Sequence, residues 1–233
     1  MRGFFNEKYF LQESGFSLCA AVCAFMLLTG CGGGNLDKYY ENISELRDCL
    51  FAAENADYKV SAISGKREEP YAIDGVSGNK RDFTVITVTP ASFESNLTYR
   101  YRAEINGETY EGDLLPHPFA QTLSADIPVA AKSDFTVTVS AKTEQSFEMK
   151  NAVTGELISA EKALTIALER MKNDIKRFKN KGGLNCEIYV RLMENPIDGS
   201  GGYFWYVAFI GAEKDAVAVL LKGDTGAVSA VRV

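Results

Sequence analysis

The 233-residue chain is poor in the side chains from which most catalytic and metal centres are built. It contains one histidine, one tryptophan and five cysteines. His117 lies between Pro116 and Pro118 with no Gly-x-Ser-x-Gly sequence near it, so it fits an exposed, extended loop better than a catalytic site. One histidine and two cysteines beyond residue 31 are too few for a typical zinc site. We therefore predict a protein that is not an enzyme and that carries no cofactor.

The chain also lacks an excess of basic residues. Its 25 lysines and arginines are outnumbered by 31 aspartates and glutamates, which gives a net charge of −6. That balance argues against nucleic acid as a partner and against electrostatic attachment to anionic lipids. A hydrophobic content of 46% is that of an ordinary folded protein.

Long apolar runs are lacking as well. The strongest, residues 18–28, has eleven residues without a charge, whereas a membrane-spanning helix needs about 20. Its length is typical of the hydrophobic region of a secretory signal peptide. The run ends in Leu28-Thr29-Gly30-Cys31, which resembles the lipobox of bacterial lipoproteins.

The lipobox resemblance implies a signal peptide over residues 1–30 and a lipid on the sulfur of Cys31. Each buried methylene group of an acyl chain contributes about 0.8 kcal/mol, so two long chains anchor a protein without a span. The implied location is the bacterial cell membrane, facing outside the cytoplasm. One alternative stays open, because residues 1–17 contain two basic and two acidic side chains instead of the usual positive excess. In that alternative the run is a buried helix of a cytosolic domain.

Residues 31–55 are predicted to form a glycine leash and a helix. Glycines 32–34 are typical of a flexible linker. Over residues 36–54, apolar side chains recur at steps of three and four, which favours an amphipathic helix packed on the domain that follows. The stripe consists of Leu36, Tyr39, Ile43, Leu46, Leu50 and Ala53.

Residues 56–150 change to the two-residue alternation of β-strands. Apolar and polar side chains alternate over residues 97–105, and Asn106-Gly107 then favours a tight turn into a returning strand. DFTVITVTP and DFTVTVSAK are predicted to be further strands, ended by a proline or by polar residues. Short strands separated by turns predict an antiparallel, sandwich-like domain.

Residues 151–233 are predicted to form a small domain of one helix followed by an antiparallel meander. Ser159 is placed to cap a helix that has Glu161 in its first turn and an apolar stripe reaching Phe178. CEIYVRLM, YFWYVAFIG and DAVAVLLKG follow as strands, and a short strand comes after the turn at residues 223–226. The whole chain is therefore predicted to be α+β and rich in antiparallel strands.

Two segments of this last unit resemble the PepSY domain, a small module of secreted metallopeptidase propeptides and of surface proteins. ISAEKALTIALERM is similar to its opening, and VAVLLKGDTGAVSAV is similar to its ending, although here no residues separate Asp224 from Thr225. The resemblance covers roughly residues 157–233. It implies contact with, or inhibition of, a secreted peptidase.

Two stretches are candidates for contact with a partner. Lys66, Arg67 and Tyr71 lie in a segment dense in charges of both signs, which is either a solvated loop or a polar recognition edge. Tyr203 and Trp205 share one face of a strand whose other face is also aromatic. One face is expected to pack on the helix. The other is either covered by the middle domain or exposed, since aromatic clusters are enriched at interface hot spots.

Cysteines and acidic residues leave further alternatives. Cys49 and Cys186 either form a disulfide or are separate buried thiols, and the thiols are favoured because buried free cysteine is common. Asp224-Thr225-Gly226 matches the aspartic-peptidase signature, yet its residue types between two apolar strands favour a β-turn. Residues 195–202 lack the acidic spacing of a calcium loop, so a hairpin loop is predicted there.

These patterns predict a lipid-anchored protein that acts as a non-catalytic binding or regulatory module. Its expected partners are the membrane, through the lipid, and a secreted peptidase or an envelope protein. Strand pairing at a sheet edge is a physical route to such binding. The alternative is a structural or assembly subunit of a cell-envelope complex.

Overall fold

A computed structural model describes residues 37–181, 183–197, 199 and 201–233 of the chain. They form an α+β fold that is mostly antiparallel β-sheet, which confirms the predicted fold class. The signal peptide and the lipid attachment predicted at Cys31 lie outside the described residues. The helices are α1 (Asp37–Tyr40), α2 (Ala160–Arg170) and a 3-10 helix (Asp174–Phe178). The strands are β1 (Ile43–Glu54), β2 (Tyr58–Glu68), β3 (Lys80–Pro90), β4 (Arg100–Ile105), β5 (Glu108–Asp113), β6 (Leu115–Pro116), β7 (Leu123–Ile127), β8 (Phe135–Ser140), β9 (Glu144–Asn151), β10 (Lys179–Asn180), β11 (Gly183–Leu184), β12 (Glu187–Glu194), β13 (Tyr203–Ile210), β14 (Ala216–Lys222) and β15 (Val228–Arg232).

The helix predicted over residues 36–54 is wrong. Helix α1 ends at Tyr40, and the long strand β1 follows it. The first half of β1 lies between β2 and β12, and its last residues lie between β2 and β9. Both faces of β1 are also covered, because Leu50 packs in one hydrophobic core and Phe51 in another. A strand buried on both faces loses the two-residue alternation, and its apolar spacing then resembles that of a helix.

The main sheet has the strand order β15-β14-β13-β12-β1-β2-β3-β7-β6. Its neighbouring strands are antiparallel, apart from the parallel pair β1 and β12. A second layer, β5-β4-β8-β9, joins the main sheet where Phe51 and Ala52 pair with Asn151 and Lys150. The strands from β1 to β9 thus form a nearly closed barrel, which is the form taken by the region predicted to be sandwich-like.

Two large hydrophobic cores stabilise the fold. In one, α2 packs on β12, β13 and β14, as predicted for the C-terminal unit. The other fills the barrel between its two layers. Full burial of a large apolar side chain contributes about 1.5–3 kcal/mol. Because β1 contributes side chains to both cores, it couples the helix-covered sheet to the barrel.

Several predicted local features are confirmed. The side chain of Ser159 accepts a hydrogen bond from the N–H of Lys162 at 3.1 Å and so caps α2, with Glu161 in the first turn. Asn106 and Gly107 join β4 to β5 with φ angles of 54° and 83°, a region that suits these two residue types. Within the part of the chain that is described, every helix falls short of the length and apolar character needed to cross a bilayer.

Candidate functional site

Residues 69–79 connect β2 to β3 and are called the strap loop here. The carboxylate of Glu187, at the start of β12, is fully buried and holds the middle of this loop. One of its oxygens accepts hydrogen bonds from the N–H of Asp74, at 2.6 Å, and from the N–H of Gly75. The other oxygen accepts from the hydroxyl of Tyr189. The carboxylate thus replaces the strand partner that these backbone groups lack.

A second buried carboxylate, Glu68 at the end of β2, holds both sides of the strap loop. It accepts hydrogen bonds from the N–H of Gly78 at 2.8 Å and from the N–H of Ala72 at 3.3 Å. The hydroxyl of Ser44 also donates to it, at 3.1 Å. Burial raises the pKa of Glu68; the two loop N–H groups offset part of this rise, and the nearby Glu187 carboxylate adds to it.

A third buried carboxylate, Glu45 on β1, belongs to an ion-pair cluster. Arg191 Nη2 lies 2.8 Å from Glu45 Oε2, and Arg47 Nη2 lies 3.0 Å from Oε1. The hydroxyl of Tyr71, in the strap loop, donates to the same carboxylate at 2.8 Å. Burial acts to raise the pKa of Glu45, but the two guanidinium charges and the Tyr71 hydroxyl outweigh it and lower this pKa to about 2. Glu45 is therefore charged at neutral pH and fixes the start of the strap loop.

The structure brings together two of the three residues predicted as a recognition edge. The guanidinium carbon of Arg67 lies 4.7 Å from the ring centre of Phe83 and 5.3 Å from that of Tyr71, and Arg67 also donates to Asp126. Arg67 and Tyr71 are thus engaged in contacts within the molecule. Lys66 lies beside them on β2 with most of its side chain exposed, 3.5 Å from Asp82. Of the three, Lys66 presents its charged group most openly to solvent.

Of the aromatic candidates on β13, Trp205 lies in the core and Tyr203 packs against it. Trp205 is 2% exposed, and its Nε1 donates to the carbonyl oxygen of Ile158 at 3.1 Å. The hydroxyl of Tyr203 donates to the carbonyl of Ala152. Trp205 is therefore a core residue in this structure, because α2 and the segment before it cover this face. The opposite face of β13 packs against Ile73 of the strap loop, so the region between β2 and β3 covers it as well.

The two remaining cysteines are free thiols in this structure. Cys186 is buried in the core under α2, and Cys49 is half-buried beside the barrel core. Burial raises the pKa of Cys186 to about 12 and the pKa of Cys49 to about 11. Neither thiol is therefore activated as a nucleophile at neutral pH.

The other predicted turns and loops are found where expected. Asp224 accepts from the N–H of Thr225 at 2.7 Å and from its hydroxyl at 3.1 Å, in the turn between β14 and β15. Strands β12 and β13 form the predicted hairpin, and the N–H of Asn195 donates to the carbonyl oxygen of Gly202 at 3.0 Å across the base of its loop. Nδ1 of His117 accepts from the N–H of Phe119 at 3.2 Å, in the loop after β6. Across the described residues, no three His, Cys, Asp or Glu side chains are grouped as a metal site.

An opening in the barrel is a second candidate site. Strand β5 belongs to the second layer, but after Leu114 the chain continues as β6, which pairs with β7 of the main sheet. Among the described residues, no strand pairing joins β5 to β7, although the two strands approach each other and the hairpin tip is held to the segment after β7, where Nδ2 of Asn106 donates to the carbonyl oxygen of Ala130 at 3.1 Å. The gap between β5 and β7 is called the seam here. It contains a cleft of about 380 Å³ lined by Tyr101, Gly112, Asp113, Leu115, Ser124, Ala125 and Asp126.

The seam combines apolar surface with carboxylates. The ring of Tyr101 lies across Gly112, where an added Cβ atom would come within 3.3 Å of the ring. Leu115 is 66% exposed beside it. Asp126 is held by arginines of the neighbouring strands, among them Arg81 at 2.8 Å. The cleft therefore has an aromatic floor and an apolar wall, and it has room for side chains from outside.

Comparisons of the chain with protein-family models, with curated proteins and with solved structures find no match. The fold and the seam by themselves describe a β-rich α+β protein whose barrel is open along one strand. Such an arrangement is suited to binding an extended segment of another chain.

The buried carboxylates and the seam are not among the features that the sequence patterns predict. Glu187 had a signal, because it is the one acidic residue in the apolar stretch CEIYVRLM and such a residue needs partners when the strand is buried. The signal for Glu45 is weaker, since the nearby Ser44, Arg47 and Asp48 are polar and suggest a solvent-exposed segment. The seam depends on the final positions of β5 and β7, which no local pattern encodes.

Proposed function

We propose that the protein is a non-catalytic binding module, anchored by lipid at Cys31 and facing outside the cytoplasm of a bacterial cell. A secreted peptidase is the partner that the PepSY-like segments favour, and another envelope protein is the next candidate. In this proposal the partner adds an extended segment to the seam. The buried carboxylates keep the strap loop and the sheet in place and do not contact the partner.

One observation supports the proposal most directly: β5 is paired on one side only, and its other side faces the seam. A free strand edge offers N–H and C=O groups to an incoming extended chain, as in β-strand addition. The cleft beside it, with the ring of Tyr101 and the exposed Leu115, offers contacts for alternate side chains. Main-chain hydrogen bonds then supply affinity, and the cleft supplies selectivity.

A second strand edge favours the alternative, a structural or assembly subunit of an envelope complex. Strand β15 pairs only with β14, and Arg232 is its one charged residue. Val228, at its start, is 44% exposed. An edge with so little charge is poorly protected against pairing with another chain. A permanent partner seated on β15 would cover it.

Photo-crosslinking in intact cells separates the two roles. A photoreactive phenylalanine analogue replaces Thr109 on β5, Ser229 on β15 or, as a control, Glu213 in the exposed loop between β13 and β14. The full-length protein carries an affinity tag, and the crosslinked products are identified by mass spectrometry. The probe is the same at all three positions, so a difference between their crosslinked products reports which surface the partner contacts.

Each outcome points to one conclusion. Crosslinks from Thr109 to a secreted peptidase or another envelope protein, without the same product from Glu213, support binding at the seam. Crosslinks to an envelope structural protein from Ser229 alone support the assembly role instead of binding at the seam. The absence of any product above the Glu213 control at both edges contradicts both roles.

A further inference from the structure

The seam also indicates what kind of segment it binds. Resting on the binding function proposed above, we infer that its occupant is an extended stretch of a partner protein in which basic residues alternate with apolar ones. The inference combines the free backbone groups of β5, the charges beside them and the apolar floor of the cleft.

The register of the β4–β5 hairpin identifies the free backbone groups. Ile105 and Glu108 flank the two-residue turn and face each other, so they exchange both hydrogen bonds of a closely spaced pair. Such hydrogen-bonded pairs recur at every second position along an antiparallel hairpin. The N–H and C=O groups of Thr109, Glu111 and Asp113 therefore point away from β4 and toward the seam.

The free edge is acidic. Strand β5 has the sequence ETYEGD, which contains three carboxylates and neither lysine nor arginine. Glu111 is exposed, and its cross-strand neighbour Arg102 pairs with Glu144 instead. Within the described part of the chain, no ion pair to Glu111 is present. A basic side chain beside β5 would therefore meet an uncompensated carboxylate.

The remaining carboxylates of the seam differ in how far they are neutralised. Asp113 lies 3.4 Å from Arg100, and both side chains are well exposed, so this pair is weak and open to competition. Asp126, on the β7 side, is already bound by Arg67 and Arg81. The charge available to a partner thus lies along β5, which favours basic residues at alternate positions of the segment paired with it.

The other face of an inserted strand meets apolar surface. Successive side chains of a strand point to opposite faces, so every second residue of the occupant turns into the cleft. There it contacts the ring of Tyr101 and the side chain of Ala125, whereas Leu115, which pairs with Ser124, lies on the outer face. Gly112 contributes no side chain that would fill this space. Apolar residues therefore fit the positions between the basic ones.

The test measures the binding of three blocked nonapeptides to the full-length protein in a non-ionic detergent. The peptides alternate valine with lysine, with threonine or with glutamate, and fluorescence anisotropy reports their dissociation constants. We expect the lysine peptide to bind about tenfold tighter than the threonine peptide at low salt, and the difference to shrink near 1 M salt, where charges are screened beyond about 3 Å. Bound lysine peptide should slow amide hydrogen exchange at Thr109, Glu111 and Asp113.

Matched variants locate the effect. Glu111→Gln should weaken the lysine peptide several-fold and leave the threonine peptide unchanged. Glu213→Gln makes the same charge change in an exposed loop outside the seam and should affect neither peptide. Gly112→Val fills the cleft against Tyr101 and should weaken both peptides. Thermal unfolding of each variant verifies that the fold is retained.

The outcomes that overturn the inference are distinct from those that overturn the proposed function. Equal affinity for the lysine and threonine peptides, with protection from exchange along β5, would support strand addition at β5. It would contradict the preference for basic residues in the occupant. If the lysine peptide binds Glu111→Gln as tightly as the parent and β5 is not protected from exchange, the binding is non-specific attraction to an acidic protein. The inference is then wrong. If no peptide binds while Thr109 still crosslinks to a partner in cells, the binding function stands and the basic occupant is wrong.

Discussion

At the scale of single residues, three buried carboxylates are stabilised in two different ways. Glu45 is paired with arginines, whereas Glu68 and Glu187 accept hydrogen bonds mainly from backbone N–H groups of the strap loop. Breaking a buried ion pair leaves an uncompensated charge, which costs more than the pair contributes. Losing a carboxylate acceptor instead leaves backbone donors unsatisfied. The two kinds of site therefore predict different consequences of substitution.

Replacing Glu45 with glutamine should lower the free energy of unfolding by about 3 kcal/mol or more, because the largely buried guanidinium group of Arg191 then loses the carboxylate that it pairs with. Urea unfolding followed by circular dichroism measures the change. Glu148→Gln breaks an exposed pair with Lys150 and is the control, for which we expect little effect. A loss no larger than in the control would contradict the role of Glu45.

The stability of the protein should also depend on pH through Glu45. Its pKa of about 2 lies below the ordinary value of 4.5, so the charged carboxylate stabilises the fold above pH 4.5, and this contribution is lost as the pH falls toward 2. The difference in unfolding free energy between the parent and Glu45→Gln should be constant above about pH 5 and shrink below it. The raised pKa of Glu68 has the opposite sign, because protonation relieves the cost of its buried charge. A difference that persists unchanged at pH 3 would contradict the assignment to Glu45.

The two free thiols should react slowly in the folded protein. Burial raises the pKa of Cys49 to about 11 and that of Cys186 to about 12, so little thiolate exists at pH 8. Iodoacetamide should therefore modify both residues much faster in urea than under native conditions, which intact-mass spectrometry measures. Without reductant, a denatured protein that resists alkylation and is lighter by two hydrogens would contain a disulfide instead.

At the scale of elements, the sequence predicts what is determined locally. The Ser159 cap and the Asn106-Gly107 turn depend on residues a few positions away, and both are confirmed. The meander after α2 is confirmed because its strands pair with their neighbours in sequence. Strand β1 takes its conformation from β2, β9 and β12, most of which lie far along the chain, and this pairing overrides its helical spacing. The seam is unpredictable for the same reason.

The strap loop should loosen when Glu187 is replaced by methionine. Methionine has a similar length but offers no comparable acceptor to the N–H groups of Asp74 and Gly75. Each unsatisfied buried group costs about 1–3 kcal/mol, so amide hydrogen exchange at these two residues should become about tenfold faster or more. Glu194→Met, at the exposed end of β12, is the control. Unchanged exchange in Glu187→Met would mean that Glu68 alone holds the loop.

At the scale of the whole molecule, the two proposed binding edges, β15 and β5, lie at different ends of the strand order. The strand order places β15 at one end of the main sheet and β6, next to the seam, at the other. A partner on one edge therefore leaves the other accessible. Because β1 joins the helix-covered sheet to the barrel, both regions share strands across the boundary predicted near residue 150. The chain is thus suited to hold a partner at the seam while its N-terminal side is attached elsewhere.

That attachment is the proposed lipid on Cys31, and replacing this residue with serine removes the sulfur that carries it. Cells grown with an alkyne-bearing fatty acid should label the parent protein but not Cys31→Ser. Cys19→Ser, within the apolar run, is the matched control and should be labelled like the parent. Intact-mass spectrometry of the parent should place its N-terminus at Cys31, because the signal peptide ends at Gly30 in this proposal. A parent protein that keeps Met1 and takes up no label would contradict the anchor, and with it the location of the binding function.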